Sequence, residues 1–276
     1  MVSRKHKERL KQLVPKGVVQ VYHNLRQSAN DLYYWSCSIV YRGSTYYCPF
    51  CGQSFSRFFP DGDKASVIRQ YGVIGGGYRN NCLCPNCLSK DRERLLLLYL
   101  QQQSTFFDAV PKSVLHIAPE KNLKELFKQK DYLQYVNADL NPGAADVQMD
   151  ITDIHYPDSS FDFILCNHVL EHIPNDIQAM RELYRVLKPG GQAILQVPFA
   201  ENLQVSYEDP TITLPSDREA HFGQFDHVRI YGHDYLQRLS SVGFNVSVYT
   251  AQEMLGNSIV QRLSLIPDEK IFVGRK

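Results

Sequence analysis

Two groups of residues in this 276-residue chain have types and spacings that can do chemistry. The first is made of thiols. Of the seven cysteines (Cys37, Cys48, Cys51, Cys82, Cys84, Cys87 and Cys166), five lie between positions 48 and 87. Cys48-Pro-Phe-Cys51 and Cys84-Pro-Asn-Cys87 are two C-x-x-C knuckles with 32 residues between them. Two such pairs can present four thiolates to Zn²⁺ in a tetrahedron. Gly52 follows the first knuckle, where a tight turn must aim backbone amides at sulfur. A redox motif needs only one pair, and a disulfide framework belongs to an oxidising compartment. Structural zinc on Cys48, Cys51, Cys84 and Cys87 is therefore expected. Cys82 competes with Cys84 for its place, and the proline after both Cys48 and Cys84 favours the symmetric choice. With no open coordination position, such an ion holds a fold together and does not catalyse. The second group is His168, Glu171 and His172, at i, i+3 and i+4. On a helix these share one face. His227, within Phe225-Asp226-His227-Val228-Arg229-Ile230-Tyr231, is a fourth candidate.

The loop between the knuckles carries Phe55, Phe58, Phe59, Tyr71 and Tyr78 among Arg57, Lys64, Arg69 and Arg79. Interleaved aromatic and basic residues can stack on bases or sugars, but a small zinc module also needs aromatics as its core. The core reading is favoured. Gly75-Gly76-Gly77 has no preceding strand and reads as a flexible tip. Residues 1–30 read as a basic helical stretch, broken near Pro15, that forms a surface arm.

Charge divides the chain in the same place. Residues 1–94 hold 15 Lys/Arg against 6 Asp/Glu, a net of +9, and residues 95–276 hold 15 against 23, a net of −8. Two units with different jobs are expected, 1–94 and 95–276. The hydrophobic fraction of 43% and charged fraction of 21% exclude a disordered or low-complexity chain. No apolar run approaches the ~20 residues of a membrane-spanning helix. The charged start lacks the apolar region of a secretory signal, so a cytoplasmic location is expected.

The elements that must position the second group alternate. Ser89 can cap a helix through Gln103, with Arg92 as its third residue. From residue 111 short strands and helices follow one another: strands at Val114–Ile117, Tyr135–Ala138, Val147–Met149 and Phe161–Cys166, with a helix from Leu123 to Gln129. An amphipathic helix spans Asp176–Leu187, with Ile177, Met180, Leu183, Tyr184 and Leu187 on one face. Lys188-Pro189-Gly190-Gly191 stops it. A strand at Gln192–Val197, a helix at His233–Val242 and strands at Phe244–Tyr249 and Lys270–Val273 follow. This is an α/β pattern, a mainly parallel sheet covered on both faces. Ligands in such sheets bind beyond the carboxyl ends of the strands.

Asp150-Ile151, Phe161-Asp162-Phe163-Ile164, Val169-Leu170-Glu171-His172 and Leu187-Lys188-Pro189-Gly190-Gly191 occur in that order. Over about residues 111–276 the chain resembles the class I S-adenosylmethionine-dependent methyltransferases of the type 11 group. With the cysteine module in front, it is similar to uncharacterised bacterial methyltransferases and to an rRNA guanine methyltransferase group carrying a zinc module. The resemblance implies a Rossmann-like seven-stranded sheet whose last strand is antiparallel, with S-adenosylmethionine as cofactor. It implies that Asp139, followed by Leu140, accepts both ribose hydroxyls. Asp150 would take the adenine amino group and Ile151 N–H a ring nitrogen, while Asn167 and His168 face the methionine end. The family's acid-Gly-x-Gly loop is replaced here by His116-Ile117-Ala118-Pro119-Glu120. Both glycines are missing, so the first loop must be shaped differently, with His116 and Ala118 against the cofactor and Glu120 on the methionine ammonium.

Methyl transfer from a sulfonium needs an in-line nucleophile held close, and a hydroxyl nucleophile must also lose its proton. His168, Glu171, His172 and His227 are the expected catalytic group. They resemble, in part, a metal-binding variation in small-RNA ribose methyltransferases and ubiquinone O-methyltransferases. There a Glu-x-x-Glu-His helix and a later His hold a divalent ion, and His168 replaces the first Glu here. Either such an ion or His227 as general base would serve. The acidic second half favours a small-molecule or glycan hydroxyl as acceptor. The alternative is RNA, gripped by the basic module.

Overall fold

The structure is a computed structural model that describes residue 30 and residues 32–276. The basic arm expected over residues 1–30 lies, but for residue 30, outside the described residues. Seven strands build the central sheet: β1 (Lys112–Ile117), β2 (Leu133–Asp139), β3 (Val147–Gln148), β4 (Phe161–Cys166), β5 (Leu187–Ile194), β6 (Asn245–Thr250) and β7 (Lys270–Arg275). Their order is β6-β7-β5-β4-β1-β2-β3. β7 pairs antiparallel with β5 and β6, and the remaining pairs are parallel. The chain order reverses between β1 and β4, which opens a crevice at the carboxyl ends of those strands.

Helices cover both faces: α1 (Asp91–Gln102), α2 (Lys121–Lys128), α3 (Asp176–Val186), α4 (Tyr235–Ser241) and α5 (Ala251–Arg262). Alternation along the strands divides the core in two. Leu115, Ile164, Cys166 and Ala193 pack with Met180 and Leu183 of α3 and Leu239 of α4. Val114, Phe163, Leu165 and Ile194 pack with the leucines of α1, Leu123 and Phe127 of α2 and Val260 of α5. Both faces are buried, so β1 and β4 read as near-continuous apolar runs.

Several local expectations need correction. α3 stops at Val186, and Leu187 opens β5, which ends at Ile194; an irregularity between Leu187 and Gln192 absorbs the Pro-Gly-Gly turn. Ser89 does not cap α1. Lys90 stands at that position and its N–H donates to Glu93 (3.3 Å), while the Ser89 hydroxyl lies 3.2 and 3.3 Å from the Cys48 and Cys87 sulfurs. The periodicity also missed α5, which breaks at Gly256 (φ +75°), and a further helix at Pro215–Phe222.

The cysteine-bearing part consists of a hairpin (Arg42–Cys48 with Gln53–Phe55) and an antiparallel pair (Phe59–Asp61 with Arg79–Leu83). It is built into the sheet half at several places, two of which bear on the site. Val73–Ile74 pairs antiparallel with Phe199–Ala200. The fully buried Arg94 guanidinium donates to Cys82 O (3.0 Å) and Ser89 O (2.6 Å) on one side, and to Leu263 O (3.0 Å) and Ser264 O (3.3 Å) on the other. Gly75-Gly76-Gly77 is consequently no free tip. Gly75 is buried beside Glu269 and His168, and Gly76 faces Pro198.

Candidate active site and cysteine cluster

A cavity of about 390 Å³ opens at the carboxyl ends of β1, β2 and β3. Six of the nine residues expected to touch a cofactor line it: Ala118, Asp139, Leu140, Asp150, Ile151 and His168. Asp139 ends β2, and its Oδ1 accepts from Asn141 N (2.7 Å) and Nδ2 (3.1 Å). Asp150 does the same with Thr152 N (2.8 Å) and Oγ1 (2.7 Å). Each aspartate thus closes its own turn with one oxygen, and the second oxygen has no partner among the described residues. Ala118 adopts φ +47°, a left-handed conformation usually left to glycine. Its N–H donates to Ala138 O (2.8 Å). The backbone therefore makes here, with a methyl group in place, a turn that glycine makes without strain.

His116, Glu120 and Asn167 are not brought to this wall. His116 is fully buried in β1. Its Nε2 lies 2.6 Å from Glu120 Oε2 and its Nδ1 2.9 Å from Tyr135 Oη. Glu120 also accepts from Asn167 Nδ2 (3.3 Å). Burial is the largest influence on the Glu120 carboxyl and raises it, but the hydrogen bond and charge of His116, with a backbone hydrogen bond and Arg92, together hold the group below its ordinary value. The three form a polar layer behind the wall, where His116 orients Glu120.

A second cavity of about 320 Å³ adjoins the first through His168 and His172, which line both. Its lining includes Glu171 and His227. The expected helix here is only one 3-10 turn, Leu170–His172, so the two histidines and the glutamate converge through the tertiary fold. Val228 N–H donates to Glu171 O (2.9 Å), docking the His227 segment on that turn. The His172 and His227 rings meet edge to face at 4.6 Å. His172 Nδ1 stands 3.4 Å from Asp226 Oδ2, and His168 Nδ1 3.5 Å from Glu171 Oε1. His168 itself is held at φ +53°, a strained conformation for a non-glycine residue.

Burial sets the electrostatics of this cluster. It pushes Glu171 up to about 8 and holds His227, with the help of His172, down at about 4. It lowers His168 and His172 as well. Glu171 Oε2 and His168 Nε2 are buried without a hydrogen-bond partner. Ligand atoms of Glu171, His172 and His227 lie within 4.8 Å of one another. One carboxylate and two imidazoles fit a divalent transition ion or, with added waters, Mg²⁺ or Mn²⁺.

The four knuckle sulfurs also lie within 4.8 Å of one another, with Cys48–Cys87 at 3.5 Å and Cys51–Cys84 at 3.7 Å. A tetrahedron with Zn–S bonds of ~2.3 Å has edges of ~3.8 Å, so the set fits zinc. The knuckles match in detail. Gly52 N–H donates to Cys48 O and Leu88 N–H to Cys84 O, both at 2.9 Å, and Gly52 and Leu88 share the left-handed region. Hydrogen bonds from Cys51, Cys84 and Cys87 hold the Cys48 thiol well below its ordinary value. Cys82 stands outside the cluster, 3.3 Å from Asp91 Oδ1, and burial raises it to about 11. Phe55 and Phe58 are buried against the knuckles, whereas Tyr78 is exposed.

No local pattern places Asp61, Gly62, Asp63, Gly75, Gly76, Arg79, Lys90 and Arg92 in the lining of the second cavity. Only the docking of the two halves brings them there. Asp226, beside His227, was within reach of the motif reading.

Residues 101–195 match a family described as "Methyltransferase domain". A demethylmenaquinone methyltransferase of Listeria welshimeri is 48% identical over 40 residues, 14% of this chain and 17% of the relative. One from Staphylococcus carnosus is 42% identical over 48 residues, 17% of this chain and 20% of the relative. The chain thus spans a fifth or less of the length of these curated relatives. Among solved structures, an S-adenosylmethionine-dependent methyltransferase from Archaeoglobus fulgidus superposes with a TM-score of 0.43 at 16% identity, over 68% of this chain and 95% of that one.

Proposed function

We infer, from the match of residues 101–195 to a methyltransferase domain, that this chain is a class I enzyme that transfers a methyl group from S-adenosylmethionine to a hydroxyl of a small molecule or glycan. The strand-end cavity would hold the cofactor. Asp139 would accept from the ribose hydroxyls, Asp150 from the adenine amino group, and Ile151 N–H would meet the ring. The cofactor supplies an electrophilic methyl on a sulfonium. The chain's own part is to hold the acceptor in line and to take up its proton.

The observation that carries the hydroxyl reading is the buried Glu171–His172–His227 group in the cavity next door. A divalent ion held there would stabilise the deprotonated acceptor. In its absence the neutral His227 imidazole accepts the proton. A structural Zn²⁺ on Cys48, Cys51, Cys84 and Cys87 would hold the first unit, with the working division at residues 94/95. No helix among the described residues is long and apolar enough to cross a membrane, which is compatible with action in the cytoplasm.

The test incubates the protein with methyl-labelled S-adenosylmethionine and fractionated extract of its source cells. Label is expected in a small-molecule or glycan fraction, on an ether that survives mild base. With a metal-activated hydroxyl, EDTA abolishes labelling and Mg²⁺ or Mn²⁺ restores it. With His227 alone, EDTA has little effect. Label confined to RNA, with binding that weakens steeply as salt rises, would overturn the small-acceptor reading.

A further inference from the structure

Three cations line the cavity that contains Glu171, His172 and His227: Arg79, Lys90 and Arg92. Two are already committed. Arg79 Nε and Nη2 grip the Asp91 carboxylate at 2.6 and 3.0 Å. Lys90 Nζ stands 2.9 Å from Asp61 Oδ2. Arg92 differs from both. The one hydrogen bond of its guanidinium among the described residues is from Nη1 to the carbonyl of Gly75, at 3.3 Å. Its Nε is buried without any partner, and no carboxylate of the described residues lies within 4.0 Å of it. Asp63, also in this wall, lies beyond ion-pair reach as well.

A buried guanidinium N–H left unbonded costs on the order of 1–3 kcal/mol. Such a group persists where something else satisfies it. Arginine's planar fork matches carboxylate and phosphate oxygens in pairs. The wall that carries Arg92 comes from the first turn of α1, which the Gly75 carbonyl meets from the cysteine-bearing part.

We propose that Arg92 is the specificity-determining contact of the acceptor cavity, and that it binds a carboxylate or phosphate group carried by the methyl acceptor. The acceptor is then an acidic molecule, with its oxyanion on Arg92 and its reactive hydroxyl toward Glu171, His172 and His227. This rests on the reading that the cavity receives the acceptor. Arg79 and Lys90, each held by its own aspartate, shape the wall and do not compete for the anion.

The experiment uses the full chain saturated with S-adenosylhomocysteine and titrates it with sodium phosphate or sodium acetate at constant ionic strength, by ligand-observed NMR. One of the two oxyanions is expected to bind the wild type with a Kd in the millimolar range. Arg92→Gln should weaken that binding by ~10-fold or more, and Arg92→Lys, which keeps the charge but not the fork, by less. Affinity for S-adenosylhomocysteine should stay unchanged in both variants. Preference for phosphate marks a phosphorylated acceptor, and preference for acetate a carboxylated one. If Arg92→Gln does not fold, equal phosphate and acetate affinities in Arg92→Lys and wild type would overturn the proposal. So would oxyanion binding unchanged in Arg92→Gln, or no binding of either ion to the wild type. Failure of S-adenosylhomocysteine to bind any form would instead remove the methyltransferase reading, which keeps the two failures apart.

Discussion

The two adjoining cavities are built in different ways. All residues lining the strand-end cavity come from positions 117–226, within the sheet half. The cavity that contains the histidines is shared: Asp61 to Arg92 form one wall, and His168 to His227 the other. A cofactor common to many enzymes can be held by strand ends that the fold itself supplies. Under the proposed function the acceptor needs a wall of its own, and the cysteine-bearing part lines one side of the cavity that would receive it. The cysteine-bearing part would then be a component of the acceptor site as well as an appended module.

This contrast can be broken most forcefully at the cysteines. Structural zinc in small modules contributes on the order of 10–16 kcal/mol of apparent binding energy. Cys51→Ser and Cys84→Ser should each release about one Zn²⁺ per chain, read by metal analysis, and lose methyl transfer. Affinity for S-adenosylhomocysteine should largely survive, because no residue of the module lines the strand-end cavity. Cys82→Ser should retain the metal. Full metal content in Cys84→Ser would return Cys82 to the ligand set.

A smaller effect is expected at the shared wall's chemistry. His227→Ala should reduce turnover by ~10²–10⁴-fold, the usual worth of a positioned base, and loss of a metal ligand would cost about as much. The dissociation constant for S-adenosylhomocysteine should move little, since His227 lines only the histidine cavity. Steady-state kinetics beside calorimetry separates the two. Unchanged turnover in both His227→Ala and His172→Ala would leave proximity alone to explain the chemistry.

The same contrast decides what could be read from the residues. The sheet was legible because its strands are short apolar runs and α3 carries a clear periodicity. Asp139 and Asp150 were legible as strand ends. The knuckles were legible because their ligands are local in sequence. His116 was misplaced. Its side chain points inward from a fully buried strand, and a one-residue alternation separates cavity from core. Ser89 was misread because a hydroxyl near a helix start can serve a thiolate cluster equally well. Arg92 was read only as a helix residue. Its place in the acceptor wall depends on Gly75, 17 residues upstream, and on the strand pair between Val73–Ile74 and Phe199–Ala200. No local pattern encodes that docking. The convergence of Glu171, His172 and His227 was legible as composition but not as a helix face, because a 3-10 turn and a distant loop bring them together.

Calorimetric titration of the full chain with S-adenosylhomocysteine probes the strand-end cavity itself. One site per chain is expected, with a rise in melting temperature on binding and retention of that site in Cys51→Ser. Asp139→Ala should weaken it by ~10–100-fold, the worth of hydrogen bonds to a charged acceptor. Absence of binding by the wild type at millimolar concentration, or equal affinity in wild type and Asp139→Ala, would contradict the assignment of that cavity to the cofactor.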